Sequence, residues 1–393
     1  MSQHDYVIDN QTFPNTRTDL NNALAAIATT NAGATAPSTT YAYQLWYDTT
    51  TDFIKMRNAD NDAWITLFEF DQANDTVSLP ATSIQPNPNL IINGAMQVAQ
   101  RGTSSTTNGY GSVDRWQNSY GVGGTVTGSQ ESLTSSDAPY ALGFRNYFRM
   151  TNTATTSGTG DYRQIIHRIE AQNISNSGWN YTSTSSYVTL SFWVRSSVAG
   201  KYGLYITADD ASYQFSFTET LAANTWTKVT KTISGNSNLV FNNDDGSGLS
   251  IHFVAWLGTN FTDSTATMDS WVALDSTKYL PDDIANWAGT SDATLDITGV
   301  KLELGQTATD FIHEDIGTTL RKCQRYYFQD TKYVSAVVSG VAPTGTNYPV
   351  EMRAAPTISG GGAGFAEVVK TRLGLFYYQT TTDGQLLTFN SEL

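Results

Sequence analysis

Between positions 187 and 257 the chain runs Tyr187-Val-Thr-Leu-Ser-Phe-Trp-Val-Arg195, Lys201-Tyr-Gly-Leu-Tyr-Ile-Thr207, Tyr213-Gln-Phe-Ser-Phe-Thr218, Thr225-Trp-Thr-Lys-Val-Thr-Lys-Thr-Ile233 and Leu249-Ser-Ile-His-Phe-Val-Ala-Trp-Leu257. Large apolar residues fall on every second position, the period of a strand that buries one face. Leu190, Phe192 and Val194 form one side, with Trp193 on the other. Tyr202, Leu204 and Ile206 oppose Tyr205, and Ile251, Phe253, Ala255 and Leu257 oppose His252 and Trp256. The pattern returns at Ala293 to Leu304, with no amphipathic helix between these runs. Many short strands without crossover helices predict a β-sandwich, or jelly roll, over residues 90–323.

Outward from this block the chain divides further. Leu20, Leu24 and Ile27 recur at helical spacing behind Thr16 and Asp19, which resemble a capping box, and Asn31 and Gly33 end the helix. Three short strands are predicted after it, at Gln44 to Tyr47, Phe53 to Arg57 and Trp64 to Phe70. Residues 1–70 thus form a small helix-plus-meander module, too small for much core of its own, so the apolar helix stripe is expected to pack on other copies of the chain. Residues 71–89, with Pro80, Pro86 and Pro88, read as a linker. A short helix is expected at Asp315 to Cys323. Residues 324–393 read as a small C-terminal β module, with strands at Tyr333 to Val338, Val350 to Arg353, Arg372 to Gln379 and Gln385 to Asn390. The fold class is mostly β.

Composition narrows the function. Only 15% of the 393 residues are charged and 12% are aromatic, which excludes a coiled coil and argues against disorder. The net charge of −14 would repel nucleic acid and anionic lipid, so neither is an expected partner. A lone cysteine, Cys323, permits no intrachain disulfide, and it is expected to be buried and reduced beneath the sandwich. Met1 to Phe13 lacks the basic stretch and apolar run of a signal peptide, and no run nears 18 apolar residues, so cytoplasmic assembly without membrane insertion is expected.

No catalytic motif stands out. His313-Glu-Asp-Ile-Gly317 opens like a zinc-protease helix but carries Gly where the second histidine ligand must stand. Aligning Gly246 of Asn242-Asn-Asp-Asp-Gly-Ser-Gly248 with the sixth position of an EF-hand puts Phe241 first and His252 twelfth, which excludes that motif. A looser calcium site at the sandwich edge stays open beside the plainer reading as a hydrated turn. Carboxylates are numerous, and spacing selects no glycosidase pair among them. No cofactor is expected. What remains is aromatic surface: Trp193, Tyr205 and Trp256 on the second face of the sheets are the candidate carbohydrate-binding residues, since flat rings stack on the C–H faces of sugars. The competing reading is that loops, a neighbouring module or another subunit cover them.

Three segments carry a family resemblance. Pro88-Asn-Leu-Ile-Ile-Asn-Gly-Ala-Met-Gln-Val-Ala-Gln-Arg-Gly102 with Ser112-Val-Asp-Arg-Trp-Gln117 resembles the opening of a carbohydrate-binding-module-like jelly-roll domain of bacteriophage tail proteins. Gly299-Val-Lys-Leu-Glu-Leu-Gly305, Ala308-Thr-Asp-Phe311 and Leu320-Arg-Lys-Cys-Gln-Arg-Tyr-Tyr327 resemble its end. Arg17-Thr-Asp-Leu-Asn-Asn-Ala-Leu24, Gly33 to Trp46 and Trp64-Ile-Thr-Leu67 resemble the N-terminal module of phage tail fibres. The resemblance implies a homotrimeric virion protein, a tail fibre attached to the particle through residues 1–70 and presenting the jelly roll and C-terminal tip to the host. Host adsorption through a cell-surface glycan, without turnover, is the expected function, and Leu20, Leu24 and Ile27 are the expected trimer contact. A structural head-fibre or decoration protein and a polysaccharide-degrading tail spike are the alternatives.

Overall fold

The computed structural model describes residues 3–72, 75–78, 89–121, 123–332, 344–360, 365–379 and 385–393. Two compact units divide the chain, Met1–Pro86 and Asn87–Leu393, and the protein is mostly β.

The first unit consists of helix α1 (Phe13–Ala28) and an antiparallel sheet of β1 (Leu45–Asp48), β2 (Phe53–Arg57), β3 (Trp64–Asp71) and β4 (Thr76–Ser78), paired in that order. The proposed capping box is displaced. Thr12 stands at the N-cap with Pro in the first turn, where a missing N–H is harmless, so Thr16 falls inside the helix. Asp19 anchors the preceding segment instead: it shares a 2.7 Å hydrogen bond with His4 and accepts another from the Asp9 N–H at 3.0 Å. Left-handed Thr30 and Asn31 end the helix, at φ of 56° and 53°. Its buried face is Ala23 and Ala26, while Leu20, Leu24 and Ile27 are 49%, 55% and 62% exposed. Pairing of Glu69, Phe70 and Asp71 with Ser78, Val77 and Thr76 draws Asp71 and residues 76–78 into the sheet, so the linker predicted at 71–89 is shorter at its start. Residues 79–88 lie outside the described ones.

The second unit opens with β5 (Ser104–Ser105), β6 (Gly109–Tyr110), β7 (Trp116–Tyr120), β8 (Val126–Ser132), β9 (Asn146–Asn152) and β10 (Tyr162–Glu170). Short helix α2 (Ala171–Ser175) leads to β11 (Tyr187–Ser196), β12 (Gly200–Ala208), β13 (Tyr213–Leu221), β14 (Thr227–Ser234), β15 (Ser247–Leu257), β16 (Trp271–Ala273) and β17 (Thr294–Leu304). They build a seven-stranded sheet, order β16-β13-β12-β15-β10-β7-β6, and a six-stranded sheet, order β14-β11-β17-β9-β8-β5. The alternating apolar sets interdigitate between them, with Leu190, Phe192 and Val194 against Leu204, Ile206, Ile251 and Phe253 in one continuous core. Gly299, at φ 63°, carries the extra residue of a β17 bulge, and a Cβ there would meet the Phe144 ring at 2.7 Å.

Helix α3 (Ile316–Gln324) follows, capped by Asp315, which accepts from the Thr318 N–H at 3.0 Å. Cys323 is buried on it, and burial pushes the thiol well above its ordinary pKa. The native protein should therefore resist thiol reagents over hours and react fully in denaturant, and rapid native labelling would contradict this placement.

Beyond α3, β18 (Tyr327–Lys332), β19 (Thr344–Asn347), β20 (Thr357–Ser359), β21 (Phe365–Lys370), β22 (Gly374–Gln379) and β23 (Gln385–Asn390) form two three-stranded sheets, β18-β23-β20 and β19-β22-β21. Phe328, Tyr348, Met352, Leu375, Tyr377, Leu387 and Phe389 make a small core of their own. Val350 to Arg353, predicted as strand, is bend and coil, and the predicted Tyr333 to Val338 strand falls outside the described residues. These sheets are fastened to the sandwich within one compact unit. Buried Glu170 accepts from Arg325 at 2.7 and 2.8 Å and from the Tyr326 hydroxyl at 2.5 Å, and Arg353 donates to the Asp245 carbonyl at 2.8 Å.

Candidate functional site

The three predicted aromatic residues do not share a surface. Tyr205 and Trp256 belong to the seven-stranded sheet and Trp193 to the six-stranded one. Tyr205 points away from the core as its alternation requires, yet it is 3% exposed. Its ring is stacked between His252 and Tyr279, both at 4.2 Å, and it packs in a satellite cluster with Val254, Leu257 and Leu280. Its hydroxyl donates to Gln164 at 2.8 Å. Tyr279, Leu280 and Phe261, all from the stretch after β15, close over this face, so Tyr205 offers no open ring.

Trp256 departs from its predicted side altogether. Gln164 pairs with Val254 but Arg163 pairs with Trp256, which leaves Ala255 as the extra residue of a bulge. One inserted residue reverses the facing of all that follow. Trp256 consequently packs, partly buried, on the main core, while Leu257 joins the outer cluster.

Burial also keeps the histidines of this sheet neutral. His252 is pushed down to about 3 by desolvation, with Arg168 adding repulsion, and His167 is driven well below its ordinary value by burial and by Arg115. A histidine whose folded pKa is depressed binds its proton in the unfolded chain first, so stability is lost as pH falls from about 6.5, by roughly 1.4 kcal/mol per pH unit per residue down to the folded pKa. Denaturant titrations of His252→Gln should accordingly show a shallower decline between pH 6.5 and pH 4 than the parent protein. Equal slopes would contradict the burial.

Trp193, partly buried like Trp256, is the one of the three that keeps an exposed part on an outer sheet face, that of the six-stranded sheet. Lys228 of β14 and Thr298 of β17 flank it in register. It joins Tyr147, Trp226, Phe144, Tyr140 and Phe311 in an aromatic cluster separate from the main core. Beside the ring lies a cleft of about 200 Å³ whose polar lining is Ser191, Lys228, Thr309 and Asp310. The wall at 309–310 is fixed from beneath. Lys301, itself buried, donates to the Asp310 carbonyl at 3.0 Å and lies 2.9 Å from buried Glu303, which accepts from the Thr309 N–H at 2.8 Å and hydroxyl at 2.6 Å.

Along the same face runs a charged row that the sequence reading did not single out. Asp296 is fully buried and takes a two-point contact from Arg149 at 2.7 and 2.9 Å and a further bond from Arg195 at 2.9 Å. Arg195 also bonds Asp137 at 2.9 Å and lies over the Trp226 ring, 4.5 Å from its centroid, and the Trp226 N–H donates to Asp137 at 2.8 Å. Although burial opposes it, the hydrogen bonds from Thr134 and Trp226 and the Arg195 charge hold Asp137 below the usual carboxylate range. The signal was present in the sequence: Asp296 and Arg195 sit at outward positions of strands whose inward partners are apolar.

The other sequence candidates resolve into scaffold. His313 shares a 2.8 Å hydrogen bond with the Leu142 carbonyl and packs on Phe144 and Phe311, ahead of rather than on α3. The Asn242 to Gly248 loop is held by Asn242 on Asp210, at 2.6 and 2.9 Å, and by the Gly246 N–H on Asp244 at 3.0 Å. Among the described residues no group of three or more His, Cys, Asp or Glu side chains is placed to hold a metal ion.

No family model matches the chain, and no curated protein matches it. Solved structures of similar shape include the enzymatically active domain of tailspike protein 4 of bacteriophage CBA120, at 13% identity and a TM-score of 0.30 over 56% of this chain and 22% of that one. The family 11 carbohydrate-binding module of a Clostridium thermocellum cellulosomal cellulase matches at 12% identity and 0.26, over 52% of this chain and 96% of the module. A cyclase from Fischerella sp. TAU matches at 10% and 0.32, over 56% and 97%. Superpositions this loose do not bring side chains into correspondence, so no residue role passes from these proteins to this chain.

Proposed function

We propose that the chain is a phage tail-fibre protein that adsorbs to host surface polysaccharide through the outer face of its six-stranded sheet, without chemical turnover. The observation that carries this reading is the cleft beside Trp193: an accessible indole next to a lysine, a carboxylate and two hydroxyls on a braced wall, the pairing of apolar platform and convergent polar groups that a sugar ring requires. Its lining holds one carboxylate, Asp310, whereas glycoside hydrolysis ordinarily employs two, which favours binding over a degrading tail spike. Full-length protein incubated with purified capsular and lipopolysaccharide glycans of candidate hosts should bind one of them saturably and release no reducing ends. Binding to none, or steady release of reducing sugar, would overturn the reading, and gold-labelled antibody on intact particles separates a tail fibre from a head-fibre or decoration protein.

The stripe of Leu20, Leu24 and Ile27 supports a homotrimer in the virion, since burying each side chain stabilises by roughly 1.5–3 kcal/mol. Light scattering should give three times the chain mass at micromolar concentration, and Leu24→Asp should shift it toward one chain while the sandwich keeps its melting transition. A monomer mass for the parent protein would contradict this assignment.

A further inference from the structure

A larger cleft opens elsewhere in the second unit, about 760 Å³, bounded by α2, α3 and the β21–β22 turn. Its size lies in the range of ligand sites. In a chain with 22 cationic residues against 36 acidic ones, Lys322, Arg325 and Arg372 all border it, faced by one lining carboxylate, Glu351. Carboxamides supply much of the remaining polar lining, Asn173 and Asn176 from the end of α2 among them.

The three cations are not equivalent. Arg325 is committed, its guanidinium bound at two points by buried Glu170. Lys322 is paired, among the described residues, with Glu314, and both side chains are about two-fifths exposed. Arg372 meets Asp245 at 3.5 Å and Glu351 at 3.3 Å, again in exposed pairs. Exposed ion pairs contribute little, so an incoming anion can replace Glu314 or Glu351 with small net loss. Arg372 keeps its direction meanwhile, because its Nε–H donates to the Met352 carbonyl at 3.0 Å.

We infer that this cleft is a second saccharide site, one that takes an acidic sugar whose carboxylate is gripped between Lys322 and Arg372 while the α2 carboxamides bond its hydroxyls. It is independent of the Trp193 face and selects charge rather than ring stacking, as no exposed aromatic side chain lines it.

Calorimetric titration of the full chain with an oligogalacturonate tests this, beside a neutral galactose oligomer of the same length. The acidic oligomer should bind saturably, weakening several-fold as salt rises from about 50 to 300 mM, while the neutral one binds at least ~10-fold more weakly. Lys322→Gln with Arg372→Gln should lower affinity at least ~10-fold with the melting temperature preserved, and Trp193→Ala should leave it unchanged. Absence of saturable binding, equal affinity for the neutral oligomer, or indifference to the double substitution would overturn the inference. Loss in Trp193→Ala alone would place the acidic sugar on the other face, overturning this site while sustaining the first.

Discussion

Glu392→Ala should destabilise the second unit by about 3–5 kcal/mol, because it strands a buried charge. Glu392 is bound by Arg115, which is fully buried, and lies 3.2 Å from Arg101. Both guanidinium groups also stack on rings that lead into the C-terminal sheets, Arg115 at 3.5 Å from the Tyr326 centroid and Arg101 at 3.4 Å from that of Tyr327. Removing the carboxylate leaves Arg115, among the described residues, with the Arg168 carbonyl at 2.7 Å as acceptor, at a fully buried position. The neighbouring Asp114 carboxyl is already engaged, accepting from the Gln100 N–H at 2.9 Å and lying 3.8 Å from Arg101. Because domains of this kind are stable by only about 5–15 kcal/mol, urea denaturation should show a large midpoint shift. Glu392→Gln should recover part of the loss by keeping an acceptor in place. A cost below about 1 kcal/mol would mean that Arg115 finds water and that the clasp does not hold the C-terminal sheets to the sandwich.

Trp193→Ala should weaken glycan binding by roughly 30-fold, the loss of about 2 kcal/mol that accompanies removal of an anchoring ring. It should also lower the melting temperature, because the indole packs on the aromatic cluster around Phe144 and Phe311. Two further substitutions separate the effects. Lys228→Ala and Asp310→Asn line the same cleft without belonging to that cluster, so each should weaken binding with little change in melting. Full binding by all three variants would remove the cleft from consideration.

Strand alternation was strong where one face of a strand is apolar and the other polar, and there the elements at 187–257 and 294–304 could be read directly. It failed between 116 and 170. On β7 and β10 both faces are largely buried, and polar side chains such as Asn118, Arg163, Gln164 and His167 sit inside, so no period of two survives. Alternation gives Tyr205 its outward facing but cannot decide between an open and a covered ring, because the cover comes from Tyr279 and Leu280, far along the chain. Trp256 was misassigned by one inserted residue, which no alternation rule detects. The Arg115–Glu392 clasp joins residues separated by 277 positions, and nothing local to either marks it. Trp193 could be picked out because its neighbours Phe192 and Val194 are unambiguous core. The braced wall at 309–310 could not be, since it depends on a buried Lys301–Glu303 pair that reads as ordinary surface charge in the sequence.

The nine indole N–H groups give one reporter in nearly every part of the molecule: Trp46 and Trp64 in the first unit, Trp116, Trp179, Trp271 and Trp287 in the sandwich core, Trp256 at its edge, and Trp193 and Trp226 on the proposed face. Titrating the bound host glycan into nitrogen-15-labelled full-length protein and following these nine resonances tests the central claim most directly. Trp193 should shift most, Trp226 next, and the core indoles scarcely at all. A saturating titration in which Trp193 stays still, or in which only Trp46 and Trp64 move, would contradict it.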